Sequence, residues 1–298
     1  MGTADAVPGV SGGTIALITG IYDRLIAAVT SLDVDLARRA LGGLAGDREE
    51  IRDAWRDADL TFLLVLGVGI FAAVLTVTRV LHVAIETRPA PTFGFFFGLI
   101  AASALVLRGE LHLDSRRRIV AGLGGVVLAF VVSGEASAVL PGTPLTTAFA
   151  GAFAVSAMIL PGISGSLVLV ILGQYERMSG ALSAFQDALV GVAGGADPAS
   201  VVGPGVTVVS FIAGGVVGLL TVAHLVRRAL TRDRETTMTF LVGLIVGALR
   251  APVVSTGQRL AELGRGWTPE ALALFGVAAL VGGFAVLALD RAAGGIEL

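Results

Sequence analysis

Six apolar runs constrain this chain more than any other feature: 60–84, 91–108, 117–134, 204–226, 237–251 and 271–289. A helix needs roughly 20 apolar residues to cross a hydrocarbon core of about 30 Å, and these runs approach or reach that length. The chain is 55% hydrophobic and 15% charged, with a mean hydropathy of +0.87, far more apolar than a water-soluble core can hide. The expected class is an all-α polytopic membrane protein. All 21 basic residues are arginine, most of them between apolar runs, and the net charge is −2. Both facts suit membrane-flanking loops and argue against a nucleic-acid partner.

The runs belong to two copies of one pattern. "PGVSGGTIALITGIYDRL" (8–25) aligns with "PGISGSLVLVILGQYERM" (161–178) at an offset of 153. "LTVTRVL" (75–81) aligns with "LTVAHLV" (220–226), and "FFFGLI" (95–100) with "FLVGLI" (240–245), at an offset of 145. Agreement at Pro, Gly, Tyr and Arg, in the same order in both halves, indicates a duplication. Repeat 1 is assigned to 1–140, with a hairpin at 1–30, an amphipathic loop at 31–59 and spans at 60–84, 91–108 and 117–134. Repeat 2 is assigned to 141–298, with a hairpin at 146–178 and spans at 204–226, 237–251 and 271–289. Each motif divides at Pro-Gly into arms of about 15 residues or fewer, about 22 Å of helix, too short to cross alone. Each segment is then one broken span or a re-entrant hairpin. Two hairpins place fifteen arginines on one face against five, and two crossing segments fourteen against six. Only the crossing arrangement exports the cluster Arg227, Arg228, Arg232 and Arg234, which favours hairpins with the arginine-rich face cytoplasmic. Three spans per copy then force two inverted structural repeats, each a re-entrant helical hairpin plus three transmembrane helices.

Broken backbone at membrane depth is tolerated only where protein or water satisfies its polar groups. In each copy a helix N-terminus follows the break, and its free N–H groups and positive dipole end favour an anion. Gly9, Ser11, Gly12, Gly13 and Thr14, with Gly162, Ser164, Gly165 and Ser166, are the candidate donors. Arg79, inside its run and aligned with His224, is the candidate counter-charge or a snorkelling side chain. Asp5, Tyr22, Asp23, Arg24, Tyr175, Glu176 and Arg177 are candidate gate or coupling groups, for protons or sodium, with interfacial anchoring as the alternative for the tyrosines. Close helix packing is the competing account of the small residues. Gly9-Val10-Ser11-Gly12-Gly13 also fits the G-x-S-x-G nucleophile elbow, but no strand precedes it, no histidine is near it in sequence and the second copy ends in Ser166. No catalytic residue is therefore assigned. Cysteine is absent, and His82, His112 and His224 are too far apart for a local metal motif, so neither a metal nor a cofactor is expected.

"ADAVPGVSGGTIALITGIYDRL", "LPGISGSLVLVILGQYERM" and "FFFGLI" resemble the prokaryotic PopT family of polyprenyl-phosphate (undecaprenyl-phosphate) transporters, formerly a domain-of-unknown-function family. The resemblance covers nearly the whole chain. It implies a multi-pass protein of a prokaryotic plasma membrane that translocates undecaprenyl phosphate, or an archaeal dolichyl-type phosphate, between leaflets for carrier-lipid recycling. The headgroup is expected at the paired PGxSG tips. The alternative is a secondary transporter of a small soluble anion through the same site. Family members carry more apolar sequence before "ADxVPG" than the seven residues that precede Pro8 here, so a short first arm is expected.

Overall fold

The computed structural model describes residues 1–10, 12, 15–16, 19–21, 24–25, 27–28, 52, 55–139, 142–158 and 164–292. Every regular element among them is helical. Most of the 31–59 loop lies outside the described residues.

Local chemistry sets the helix limits. Helix α1 (Gly2–Ala6) stops at Val7, which is extended (φ −100°, ψ 122°) because it precedes Pro8. Helix α2 (Leu60–Thr87) is separated from α3 (Pro89–Val106) by Arg88, non-helical for the same reason, while Pro89 suits the first turn of α3. Helix α4 spans Arg116–Val139. Helix α5 (Pro144–Ala157) starts with a reciprocal cap between Thr143 and Thr146. Helices α6 (Gly165–Ile171) and α7 (Tyr175–Ala193) follow. Helix α8 (Val202–Leu220) turns at Thr221 into α9 (Val222–Arg232), so the run expected to be continuous over 204–226 is bent. Helix α10 (Arg234–Gly247) begins with the Asp233 side chain accepting from the Thr236 N–H at 3.0 Å. Helix α11 (Arg250–Glu262) is offset from α10 because Pro252 has no N–H to give the Ala248 carbonyl. Helix α12 covers Pro269–Ala292.

Five described stretches are long and apolar enough to cross a membrane: Leu60–Thr87, Pro89–Glu110, Pro198–Gly218, Arg234–Glu262 and Pro269–Ala292. The sixth expected run, 117–134, lies within α4. Leu64, Val65, Val68 and Phe71 of α2 and Leu280, Val281 and Phe284 of α12 are all more than half exposed. In water such faces would drive association, whereas in lipid they match their solvent. The chain is a multi-pass membrane protein.

Hydrophobic burial cannot drive helix pairing inside lipid, so small residues must allow close contact. Three G-x-x-x-G pairs do this. A methyl at Gly94 or Gly98 of α3 would strike the Phe275 or Ala279 carbonyl of α12. At Gly243 or Gly247 of α10 it would strike those of Gly122 or Val126 of α4, and at Gly214 or Gly218 of α8 those of Ala148 or Ala152 of α5. The first two pairs join α3 to α12 and α10 to α4. Gly98 and Gly243 are the aligned glycines of "FFFGLI" and "FLVGLI" and hold equivalent places at the two crossings.

At one end of the bundle the segment after α3 meets the start of α10. Arg234 donates to both Glu110 oxygens at 3.0 and 3.1 Å, Arg117 lies 3.1 Å from Asp233, and Arg118 pairs with Asp114 (2.6 Å) and Glu235. The Arg118 guanidinium holds the Asp114 carboxyl below the usual carboxylate range. Hydrogen bonds from Thr236, assisted by Arg117 and Arg118, do the same for Asp233. At the other end Ala90, near the start of α3, packs with Leu260 of α11 and Ala271 of α12. The central core holds Phe96, Leu99, Ile100, Leu167 and Val242, with the buried Tyr175 among them.

Candidate substrate site

The first Pro-Gly break lies within the bundle, braced by side chains from other helices, while Pro161-Gly162 lies outside the described residues. Pro8 is fully buried. Gly9 has φ +90°, a conformation that disfavours any other residue, and its carbonyl accepts 2.7 Å from the Ser103 hydroxyl of α3. The Ala6 carbonyl, freed by the end of α1, accepts 2.8 Å from the Tyr175 hydroxyl. Both bonds satisfy backbone oxygens that lipid could not.

At the first tip the Gly12 N–H donates 3.0 Å to Asp5 Oδ1, so a carboxylate of the same hairpin occupies a donor expected for an anion. A side chain at Gly12 would collide with that carboxylate. At the second tip Ser164 and Ser166 are buried and their hydroxyls lie 2.7 Å apart. Gly165 sits against the Ala154 carbonyl and Met158. Ser11, Gly13, Thr14, Tyr22, Asp23 and Gly162 lie outside the described residues.

One cavity borders these tips and a second lies beyond Tyr175. The smaller, about 210 Å³, is an apolar groove between α2, α5, α7 and α8 with Asp5, Ala6, Gly165 and Ser166 in its wall. The larger, about 750 Å³, is a polar vestibule lined by Gln174, Glu176, Arg177, Ser255, Gln258 and Arg259 among others. Tyr175 lines both, and its ring meets Phe96 edge-on at 5.5 Å. It is a partition between them.

The model of the family described as "Undecaprenyl phosphate translocase-like" matches residues 1–262 of this chain. The chain belongs to that family. A "Polyprenyl-phosphate transporter" of Vibrio cholerae is 35% identical over 250 residues, covering 84% of this chain and 73% of its own length. A protein of the same name from Staphylococcus aureus is 26% identical over 264 residues, covering 84% and 82%. No solved structure matches this chain.

As a member of the undecaprenyl phosphate translocase-like family, the chain places its other candidate residues more variously. Arg79 is half exposed on α2 and lies 2.5 Å from Asp187 of α7. It does not line the groove, although Thr78 beside it does. Arg24 pairs with Asp59 at 2.6 Å and stacks on Phe62, tying the first hairpin to the start of α2. Glu176 pairs with Arg259 of α11 at 2.6 Å, not with its neighbour Arg177. Arg177 reaches the Gln174 amide oxygen at 3.3 Å. Ser103, Gln174 and Arg259 escape sequence reasoning. Ser103 is a small polar residue in an apolar run, and Arg259 is 83 residues from its partner, so no spacing marks either of them.

Proposed function

We propose that this chain translocates a polyprenyl phosphate between membrane leaflets for carrier-lipid recycling, with the phosphate at the two hairpin tips and the isoprenoid tail in the apolar groove. The groove carries this reading. Its walls are mainly Val, Leu, Ala, Met and Phe from four helices, yet it touches Asp5, Gly165 and Ser166 at the breaks. That pairing of apolar walls and a polar end suits a lipid with one charged headgroup. The names of the family and of the relatives point the same way. A small soluble anion would use the polar vestibule, but gives the apolar groove no role.

Two inverted repeats are the proposed frame for alternating exposure of the site. Supporting this, Glu110 after the end of α3 lies beside Arg234 at the start of α10, while Ala90 near the start of α3 packs with Leu260 beyond the end of α10. The helices carrying "FFFGLI" and "FLVGLI" thus run in opposite directions. Re-entry of the second hairpin is supported by the Arg177 guanidinium, which follows it, lying against Gly142, which precedes it. The ion pairs that join 110–118 to 233–235 keep two arginine clusters on one face, which is then cytoplasmic, in the plasma membrane of a prokaryote.

In this scheme Ser164, Ser166 and the Gly12 N–H are phosphate donors. Asp5 holds the Gly12 donor until substrate or a proton displaces it, which makes it the candidate coupling group. Arg79 braces α2 against α7. The decisive experiment is leaflet-resolved translocation of a polyprenyl phosphate by purified protein in liposomes, with Ser164→Ala and Ser11→Ala variants. Movement above protein-free vesicles that falls in the variants is expected. No movement under any ion gradient would refute the function, and wild-type rates in both variants would refute the site.

A further inference from the structure

The polar vestibule has no role in the tip-and-groove scheme, and its charges are unevenly matched. Arg259 is held from two sides, by Glu176 at 2.6 Å and Glu262 at 2.7 Å, so its charge is spent within the protein. Arg177 projects into the same cavity, and among the described residues no carboxylate pairs with it. Its polar contact is the neutral Gln174 oxygen at 3.3 Å, and Gln174 is itself only 2% exposed. A guanidinium with no carboxylate partner among the described residues, in a cavity of about 750 Å³, is a receptor for a planar or tetrahedral oxyanion. Ser255 and Gln258 line the same space and can add neutral hydrogen bonds.

Position gives this cavity a direction. It lies towards the end of the bundle where Ala90, Leu260 and Ala271 meet, opposite the paired arginine loops at 108–118 and 232–235. Tyr175 alone lines both it and the groove that reaches Ser166, and the Tyr175 hydroxyl is tied to Ala6, two residues before Pro8. A headgroup leaving Arg177 would therefore meet Tyr175 before reaching either tip.

We propose that the vestibule is a second phosphate-monoester station on the face opposite the arginine-rich loops, where Arg177 receives the headgroup before it passes Tyr175 to the hairpin tips. The proposal rests on the lipid-transport reading and adds an ordered two-step path to it. Arg259, its charge more than balanced by its two glutamates, shapes the station and takes no part in charge recognition. A carboxylate headgroup would lack the second ionisation that makes a phosphate monoester the stronger ligand for a lone guanidinium.

The native chain has no cysteine, so Gln258→Cys is a single-cysteine probe of the vestibule. The measurement is its labelling by a membrane-impermeant thiol reagent in proteoliposomes, with farnesyl phosphate, farnesol or inorganic phosphate added. Farnesyl phosphate should slow labelling about tenfold, the worth of one charge-assisted contact. Farnesol should not, and inorganic phosphate should do so only at much higher concentration. Arg177→Gln should abolish the protection and lower polyprenyl-phosphate translocation by a similar factor, with Arg177→Lys recovering part of both. Equal protection by farnesol would overturn the anion station, and equal protection by inorganic phosphate would overturn a lipid as its source. If wild-type protein moves lipid while Arg177→Gln moves it equally fast and labelling is unprotected, the station is refuted and the transport function stands. If wild-type protein moves no lipid, the function itself fails, whatever the labelling reports.

Discussion

The Tyr175 hydroxyl donates a 2.8 Å hydrogen bond to the Ala6 carbonyl, joining residues 169 positions apart and tying the end of α1 to the start of α7. Both partners are buried. Tyr175→Phe leaves the carbonyl unsatisfied while keeping the ring against Phe96, and should cost about 1–2 kcal/mol. A lower Tm in detergent and faster opening between vestibule and groove are expected. The opening is read as faster labelling of a cysteine placed in the groove at Leu182. An unchanged labelling rate would mean that the ring alone forms the partition.

Glycines at the crossings should tolerate no side chain. Gly98→Ala and Gly243→Ala each push a methyl into a carbonyl of the facing helix and should cost about 1–3 kcal/mol. Gly67→Ala and Gly276→Ala are the controls, since a methyl there meets nothing within 4 Å, and both should match or exceed wild-type stability because alanine favours helix. Thermal unfolding of the four purified variants separates the groups. Equal Tm values would show that the crossings yield at no cost.

Asp5 accepts from the Gly12 N–H, so a phosphate bound at the proposed tip site would compete with it. Asp5→Asn removes a negative charge from the tip and should tighten binding of farnesyl phosphate about 3- to 10-fold, measured by calorimetry in detergent. Weaker binding would mean that the carboxylate organises the tip for its ligand instead of opposing it. Gly12→Ala, which drives the Asp5 carboxylate off its donor, should slow translocation without changing Arg177-dependent protection in the vestibule.

Acid should loosen the arginine-rich end first. Asp114 and Asp233 both have carboxyls held below their ordinary value, by Arg118 and by Thr236 respectively. A lowered folded-state pKa contributes stability that is present above the unfolded value and lost as pH falls through the folded one. Hydrogen-exchange protection factors at 110–118 and 233–237, which correct for the intrinsic pH dependence of amide exchange, should thus be flat above about pH 5 and fall below about pH 4. Asp233→Asn should remove most of that dependence at the start of α10. A change of protection between pH 6 and 8 instead would point to a different titrating group.

The membrane class and the position of the first chain break follow from the order of residues, because apolar run length and Pro-Gly act locally. Pro8 and Pro89 end or start helices wherever they stand, and "FFFGLI" and "FLVGLI" are visible as a pair without any knowledge of what they touch. The partners of the charged groups were not legible. Glu176 is adjacent to Arg177 but pairs with Arg259, and Arg79, conspicuous inside an apolar run, is taken by Asp187, 108 residues later. Charge pairing inside a bundle depends on which helix faces which, and chain spacing does not encode that. The same holds for the groove, the vestibule and the Tyr175 partition between them, which exist only because helices from both repeats cross at glycines closely enough to bring residues 5, 166 and 175 to one place.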